Sequence, residues 1–332
     1  MDFFRLSKKD LITTQEWSMN DINAVLEWTS YLKASYYKGE KPKLLPDKTF
    51  LMLFYSISTR TRISFETAMT ELGGHAQFLE SKTTLLDAGE SIKDTAKAMA
   101  RYAQGIGIRL LEPGVGNKVI REYANHVKIP VINMADDRFH PCQGLGDIFT
   151  IIEKMKEIRN KKFLVTWANS NNPRSWCSVQ SAILIATRFG MDVTLAYPSE
   201  HFALEPTVIN WCKNNADESG GTFEISNDLQ DAYSSAHVVF PRNWMTAEAF
   251  EIGIERELEL YKRYSDWICT SELMSSTEKA LFLHSMPVFR EEEATSEVVD
   301  APYSVIYDQA ENRLHVQKAI LSLMLGGTPS KI

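Results

Sequence analysis

The sequence has few cysteines and never spaces them as a pair. Cys142, Cys177, Cys212 and Cys269 are scattered, with no C-x-x-C. That argues against a zinc site and against a disulfide scaffold, and fits a reducing compartment, the cytoplasm. Long apolar runs are also missing. None approaches the ~20 residues that span a bilayer, so no membrane partner is expected. The N-terminal MDFFRLSKKDLITTQEW lacks an apolar core followed by a small-residue cleavage site, so no secretory signal is read there. Positive charge is in deficit. A formal net charge of −7 disfavours nonspecific nucleic-acid binding, although a few arginines can still converge on a small anion. No G-x-G-x-x-G follows any apolar run, which disfavours a dinucleotide oxidoreductase. His75, His126 and His201 read as surface or capping residues, and none is spaced from another as a metal ligand would be. No metal and no organic cofactor are expected. Internal repeats and low-complexity segments are absent.

What is present is a regular alternation. The 332 residues suffice for two ordinary domains. Residues 18–21 read as a helix start, followed by Ile22, Val25, Leu26, Trp28 and Leu32 at helical spacing. Short apolar runs at 49–54, 105–109 and 130–134 read as buried strands, and 65–72 reads as a helix closed by Gly73-Gly74. The second half repeats the pattern, with strands at 162–167, 191–196, 236–240 and 279–283 and a helix at 179–188. Helices at 140–158 and 313–325 would bridge the halves and close the chain. Strands alternating with helices imply α/β architecture: two domains, each a parallel sheet flanked by helices, joined by interdomain helices. The expected division is 1–145, completed by a C-terminal helix at 313–328, and 146–312.

The strongest local signal is Ser58-Thr59-Arg60-Thr61-Arg62, between a buried strand and a helix. A helix N-terminus points N–H groups at an oxyanion, hydroxyls add donors, and arginine forks match phosphate oxygens. A capped helix with solvated arginines is the plain alternative. Two arginines and two threonines packed at one strand-to-helix turn favour a phosphate cradle, one without a Walker lysine. Arg109 ends a buried strand, where open α/β sheets place ligands, though a surface ion pair fits as well. His140-Pro141-Cys142-Gln143 starts a helix. A histidine there tends to be neutral, and can either cap the helix or donate to a carbonyl oxygen as charge develops. His284-Ser285-Met286-Pro287 follows an apolar run, and would expose backbone carbonyls at a turn or simply leave a strand; a cis X-Pro bond fits such a turn.

S-T-R-T-R, an arginine at a strand end, H-P-x-Q and H-x-x-P, in this order and at these separations, resemble the aspartate/ornithine carbamoyltransferase family. The resemblance covers nearly the whole chain, including the closing segment from Ala310 to Ala319. It implies a homotrimer with sites shared between subunits, and carbamoyl phosphate and a small amine as partners. It implies that Ser58, Thr59, Arg60 and Thr61 hold the phosphate, and that Arg109, His140 and Gln143 hold the carbamoyl end. It also implies that the carbonyls around Ser285 and Met286 accept the carbamoyl NH2 and that Arg313 approaches the same ligand. A catalytically silent, ligand-binding relative is the rival of another class. The intact arginines and His140 argue against it.

Three features bear on the acceptor. Ornithine enzymes of the family usually read H-C-L-P where this chain has His284-Ser285-Met286-Pro287. The polar loop from Trp167 to Arg174 and the Arg242-Asn243-Trp244 triplet resemble the N-acylornithine, knotted members. The segment from Glu80 to Ser91 is short, as in plain ornithine enzymes. The acceptor set implied is Arg174, Arg242, Asn243, Trp244, His284 and Ser285, with Lys82 and Thr84 from a neighbouring subunit. With no Asp or Glu in 242–246, recognition of a carboxylate is expected.

Overall fold

The computed structural model describes residues 6–7, 9–86, 88–249 and 253–326. The chain forms two compact units. One comprises Met1–Gly146 with Glu311–Ile332, the other Asp147–Ala310.

In the first unit, β1 (Thr49–Phe54), β2 (His75–Glu80), β3 (Gly105–Leu110) and β4 (Val131–Asp136) form a parallel sheet in the order β2-β1-β3-β4. The apolar runs make the inner strands β1 and β3 and the buried end strand β4, whose outer edge is covered by a bridge from Leu11 to Ile132, since a strand covered on both faces needs no alternation. Gly107 is required in the middle of β3. A Cβ there would lie 2.7 Å from the Phe50 ring and 2.8 Å from the Met134 sulfur. α1 (Met19–Tyr37) precedes β1, and between the strands run α2 (Thr59–Glu71), α3 (Ile92–Tyr102) and α4 (Gly116–His126). α1 starts at the expected place, because Ser18 and Asp21 form a reciprocal capping box.

The long closing helix, Ile306–Met324, begins seven residues before the position read from sequence. Its later part belongs to the first unit. Ser322 accepts the Trp28 indole N–H at 2.8 Å, and Lys318 pairs with Glu71 at 2.8 Å in the interior. That helix and α5 (Pro141–Met155) carry the chain across the division between the units.

In the second unit, β5 (Lys162–Trp167), β6 (Asp192–Ala196), β7 (Thr222–Ser226), β8 (Val238–Arg242) and β9 (Leu281–Phe282) are parallel, in the order β7-β6-β5-β8-β9. α6 (Cys177–Arg188) and α7 (Pro206–Ser219) pack together. Among the described residues no helix is long and apolar enough to cross a membrane, and no cluster of His, Cys, Asp and Glu could hold a metal ion.

β2 and β7 were not legible as apolar runs. Both are edge strands, paired on one side and half exposed, and their sequences HAQFLE and TFEIS are accordingly polar. The run at 279–283 yields only the two-residue β9.

Candidate active site

Because the first sheet is parallel, the C-terminal ends of its strands share one edge, where open α/β sheets bind ligands. Phe54 pairs with Glu80 on one side and with Arg109 on the other, and Arg109 pairs with Ala135. Arg109 lies at such an end, and the segments that follow the other ends carry Ser58–Arg62, Lys82 and His140.

Ser58 caps α2. Its hydroxyl accepts from Thr61 N–H, and Thr59 to Arg62 form the first helical turn. Thr61 is buried, and its hydroxyl accepts a hydrogen bond from the Arg313 guanidinium at 3.1 Å. Arg313 reaches that position across Gly146, whose missing Cβ would sit 3.1 Å from the arginine Cγ. Arg109 donates to the Ile57 carbonyl at 3.4 Å, next to the cap. The structure thus brings Ser58, Thr61, Arg109 and Arg313 into one connected group, with Arg60 half-buried beside them.

Arg62 is different. It stacks on Phe78 at 3.8 Å and pairs with Glu66 at 3.0 Å, so it faces the outer end of β2. His140 and Gln143 are both buried, at the start and in the first turn of α5. Burial pushes the thiol of the intervening Cys142 up to about 12, against the pull of Arg313, so it stays protonated. Lys82 is exposed. Thr84 turns its hydroxyl back to the Ser81 carbonyl at 2.6 Å.

In the second unit the ends of β5, β8 and β9 carry the loop after Trp167, the segment from Arg242 to Thr246 and the turn from His284 to Pro287. The Met286–Pro287 bond is cis, and Met286 has φ of 50°. Met286 N–H donates to His284 Nδ1 at 3.0 Å, which leaves the imidazole proton on Nε2, 3.4 Å from Glu293. Glu293 is fully buried. One oxygen accepts Asn243 N–H at 2.9 Å and faces Arg242 at 3.4 Å, and the other accepts Phe289 N–H at 3.0 Å. Burial pushes its carboxyl up, but His284, Arg242 and the Asn243 N–H overcome this and hold it at about 2. Gln309 completes the support, accepting His284 N–H and donating to Asp147.

The expected acceptor residues therefore separate. Trp244 is a core residue whose indole N–H donates to the Phe202 carbonyl at 2.9 Å. Asn243 is buried, with its amide on the Ala168 carbonyl. Arg242 is not an open cation, being compensated by Glu293 and bonded to the Pro287 carbonyl. Arg174 lies half-buried, 4.9 Å over the Phe289 ring. Ser285 is buried on the turn, and its hydroxyl has no partner among the described residues.

The loop after β5 is fastened to the 242–246 segment at both ends, by Ala168 N–H to the Arg242 carbonyl and by Met245 N–H to the Arg174 carbonyl. Glu292 holds its tip through Ser170 and Asn171. Glu292, Glu293 and Gln309 escaped sequence reading. The two glutamates sit in an E-E-E run that looks like a solvated face.

Two family models match the chain in succession. The aspartate/ornithine carbamoyltransferase carbamoyl-P binding domain matches residues 9–153, and the Asp/Orn binding domain matches residues 175–324. The chain belongs to the aspartate/ornithine carbamoyltransferase family and is a carbamoyltransferase.

Within that family it is similar to the ornithine carbamoyltransferase of Pyrococcus abyssi, with 37% identity covering 97% of each chain. It is also similar to the N-acetylornithine carbamoyltransferase of Xanthomonas campestris pv. campestris, with 33% identity covering 97% of this chain and 99% of the relative. Among solved structures, acetylornithine transcarbamylase complexed with acetylcitrulline superposes with a TM-score of 0.89. The match has 33% identity and covers 95% of this chain and 98% of that one.

Proposed function

We propose that the enzyme transfers the carbamoyl group of carbamoyl phosphate to the side-chain amine of an N-acylated ornithine, or of another diamino acid, in preference to free ornithine. One observation carries this reading. Free ornithine presents an α-ammonium group, which calls for a carboxylate. Among the described residues, the two buried carboxylates that adjoin the 242–246 segment are both engaged by the protein. Glu293 accepts from Asn243 and Phe289 and pairs with Arg242, and Glu257 accepts from the Thr246 N–H and hydroxyl at 2.6 Å each. An acylated α-nitrogen needs no such counter-charge. Ser285, standing where ornithine enzymes of the family have cysteine, supports the same reading.

In this reading Ser58, Thr59, Arg60 and Thr61 bind the phosphate. Arg109, His140 and Gln143 face the carbamoyl oxygen, the carbonyls around Ser285 and Met286 accept the carbamoyl NH2, and Arg313 steadies Thr61. The neutral amine attacks the carbamoyl carbon. Negative charge collects on the carbonyl oxygen and is stabilised by Arg60, Arg109, Thr61 and His140. The C–O bond then breaks, and phosphate departs carrying the amine's proton. The protein supplies no nucleophile, so catalysis is positioning and electrostatic stabilisation.

Free ornithine is the second reading, supported by the short 80–91 segment and by the likeness to the Pyrococcus abyssi enzyme. Steady-state assays with ornithine, N-acetylornithine, N-succinylornithine, lysine, putrescine, 2,3-diaminopropionate and aspartate separate the two. The acylated ornithines or another diamino acid should lead, and aspartate should be poor. A kcat/KM for ornithine tenfold above every other amine, about 1.4 kcal/mol of discrimination, decides for the second reading.

A further inference from the structure

Behind the arginine and histidine of the first unit lies a carboxylate that touches neither. Asp136, the last residue of β4, is fully buried, and no ion pair reaches it among the described residues. Four donors converge on it instead. One oxygen accepts the N–H groups of Arg138, at 2.8 Å, and Phe139. The other accepts the side-chain amides of Asn117 at 2.6 Å and Asn133 at 2.8 Å. Its own N–H donates to the Phe139 carbonyl. The turn 136–139 is thereby closed on one side chain, and the next residue is His140.

The same carboxylate is tied to Arg109 by two routes. β3 and β4 shift register between Ile108 and Arg109, so that Ile108 pairs with Asn133 but Arg109 with Ala135, next to Asp136. A bulge of this kind re-aims the side chain opposite it. Asn117, which donates to Asp136, begins the helix that follows the loop after β3. That loop is pinned by Asp137, which accepts Gly114 N–H at 2.7 Å and Asn117 N–H at 2.8 Å. Asp136 is thus where the peptide after Arg109 and the peptide before His140 meet. Burial, with a contribution from neighbouring Asp137, raises its carboxyl to about 7, and the N–H and amide donors offset only part of this. A carboxylate without a cation, held by donors from three segments, is a costly feature unless the geometry it imposes matters.

We propose that Asp136 is a positioning residue for carbamoyl transfer, fixing how Arg109 and His140 are presented to the carbamoyl oxygen. The proposal rests on the roles given above to those two residues. The cap of α2, from Ser58 to Thr61, is not among the groups that Asp136 holds.

The test uses the full-length chain, Asp136→Asn and Asn117→Ala. Asparagine keeps the shape, but turns an NH2 group toward two of the four donors. Alanine at 117 removes one donor and keeps the backbone bond to Asp137. Calorimetry with carbamoyl phosphate gives Kd and the number of competent sites, and kcat is measured per competent site with the best amine of the panel. Asp136→Asn should lower kcat at least thirtyfold, and Asn117→Ala three- to tenfold, with Kd within threefold of wild type in both. A merely structural role would reduce the number of sites or the melting temperature and leave kcat per site alone. Wild-type kcat per site in folded Asp136→Asn overturns the proposal, as does a loss of affinity parallel to the loss of kcat. If Asp136→Asn does not fold, unchanged kcat per site in Asn117→Ala overturns it equally. A wild-type protein that binds carbamoyl phosphate and carbamoylates no amine refutes the functional reading itself, and the positioning role falls with it.

Discussion

Glu291, Glu292 and Glu293 are consecutive and chemically identical, yet the first is exposed, the second clamps the loop after β5, and the third is fully buried under Arg242 and His284. Removing Glu293 leaves Arg242 desolvated and without its counter-charge. Glu293→Ala should therefore cost about 3–5 kcal/mol of stability, read from urea unfolding. The pH dependence has a definite sign. The folded carboxyl is held at about 2, below the ordinary glutamate value of 4.5. Its contribution is therefore complete above about pH 4.5 and is lost as pH falls toward 2. Glu293→Gln should show a shallower acid loss of stability than wild type. The two arginines of S-T-R-T-R separate in the same way. Arg60→Ala should weaken carbamoyl phosphate binding by roughly 2–5 kcal/mol. Arg62→Ala, which loses a surface pair and a ring contact, should leave affinity within a few-fold. Equal losses in the two variants, by calorimetry, would refute the assignment of this turn.

At the scale of elements, local chemistry set several boundaries without help from the rest of the chain. The Ser18–Asp21 capping box places the start of α1, and Ser18→Ala should cost about 1 kcal/mol, measured as a shift in the unfolding midpoint. The inner strands were readable because burial on both faces demands unbroken apolar runs. Edge strands β2 and β7 face no such demand, so their polar sequences carry no strand signal. β3 shows a further constraint that spacing cannot reveal. Gly107→Ala would drive a methyl into Phe50 and Met134, two residues from neighbouring strands, and should destabilise by about 1–3 kcal/mol. A melting temperature equal to wild type would show that the sheet can relax there.

At the scale of the whole molecule, the first unit is discontinuous in sequence, so its integrity depends on residues at both ends of the chain. Truncation after Ala310 removes Arg313 from Thr61, Lys318 from Glu71 and Ser322 from Trp28. The first unit should then fail to fold, with loss of carbamoyl phosphate binding and of protease resistance in its segments. Assembly is the other question at this scale. Exposed Ile57, Ile63 and Leu85 border the cap of α2 and the 81–86 segment, and a trimer would cover such a surface. Light scattering should give three times the chain mass of 37.8 kDa. Reassembled hybrids of Arg60→Ala with a Lys82/Thr84 double mutant should recover activity if the sites are shared. Confirmed reassembly with no recovery would exclude shared sites.

The sequence by itself determined the alternating α/β order, the capped turn at Ser58–Thr61 and the H-P-x-Q and H-x-x-P motifs, because each depends on neighbours in the chain. A cap needs its third residue on, a buried strand needs its own apolar run, and a turn needs its own proline. What the tertiary structure alone decided is which charges are answered. Arg242 was legible as a cation, but its neutralisation by Glu293, fifty-one residues later, was not. Trp244 looked like a ligand contact until the Phe202 carbonyl claimed its N–H, and Asp136 looked like one acid among forty-three. The physical reason is common to all three. The state of a buried polar group is set by the partners that folding brings within 3 Å or so, and Glu293 for Arg242, Phe202 for Trp244 and Asn117 for Asp136 lie 51, 42 and 19 residues away along the chain.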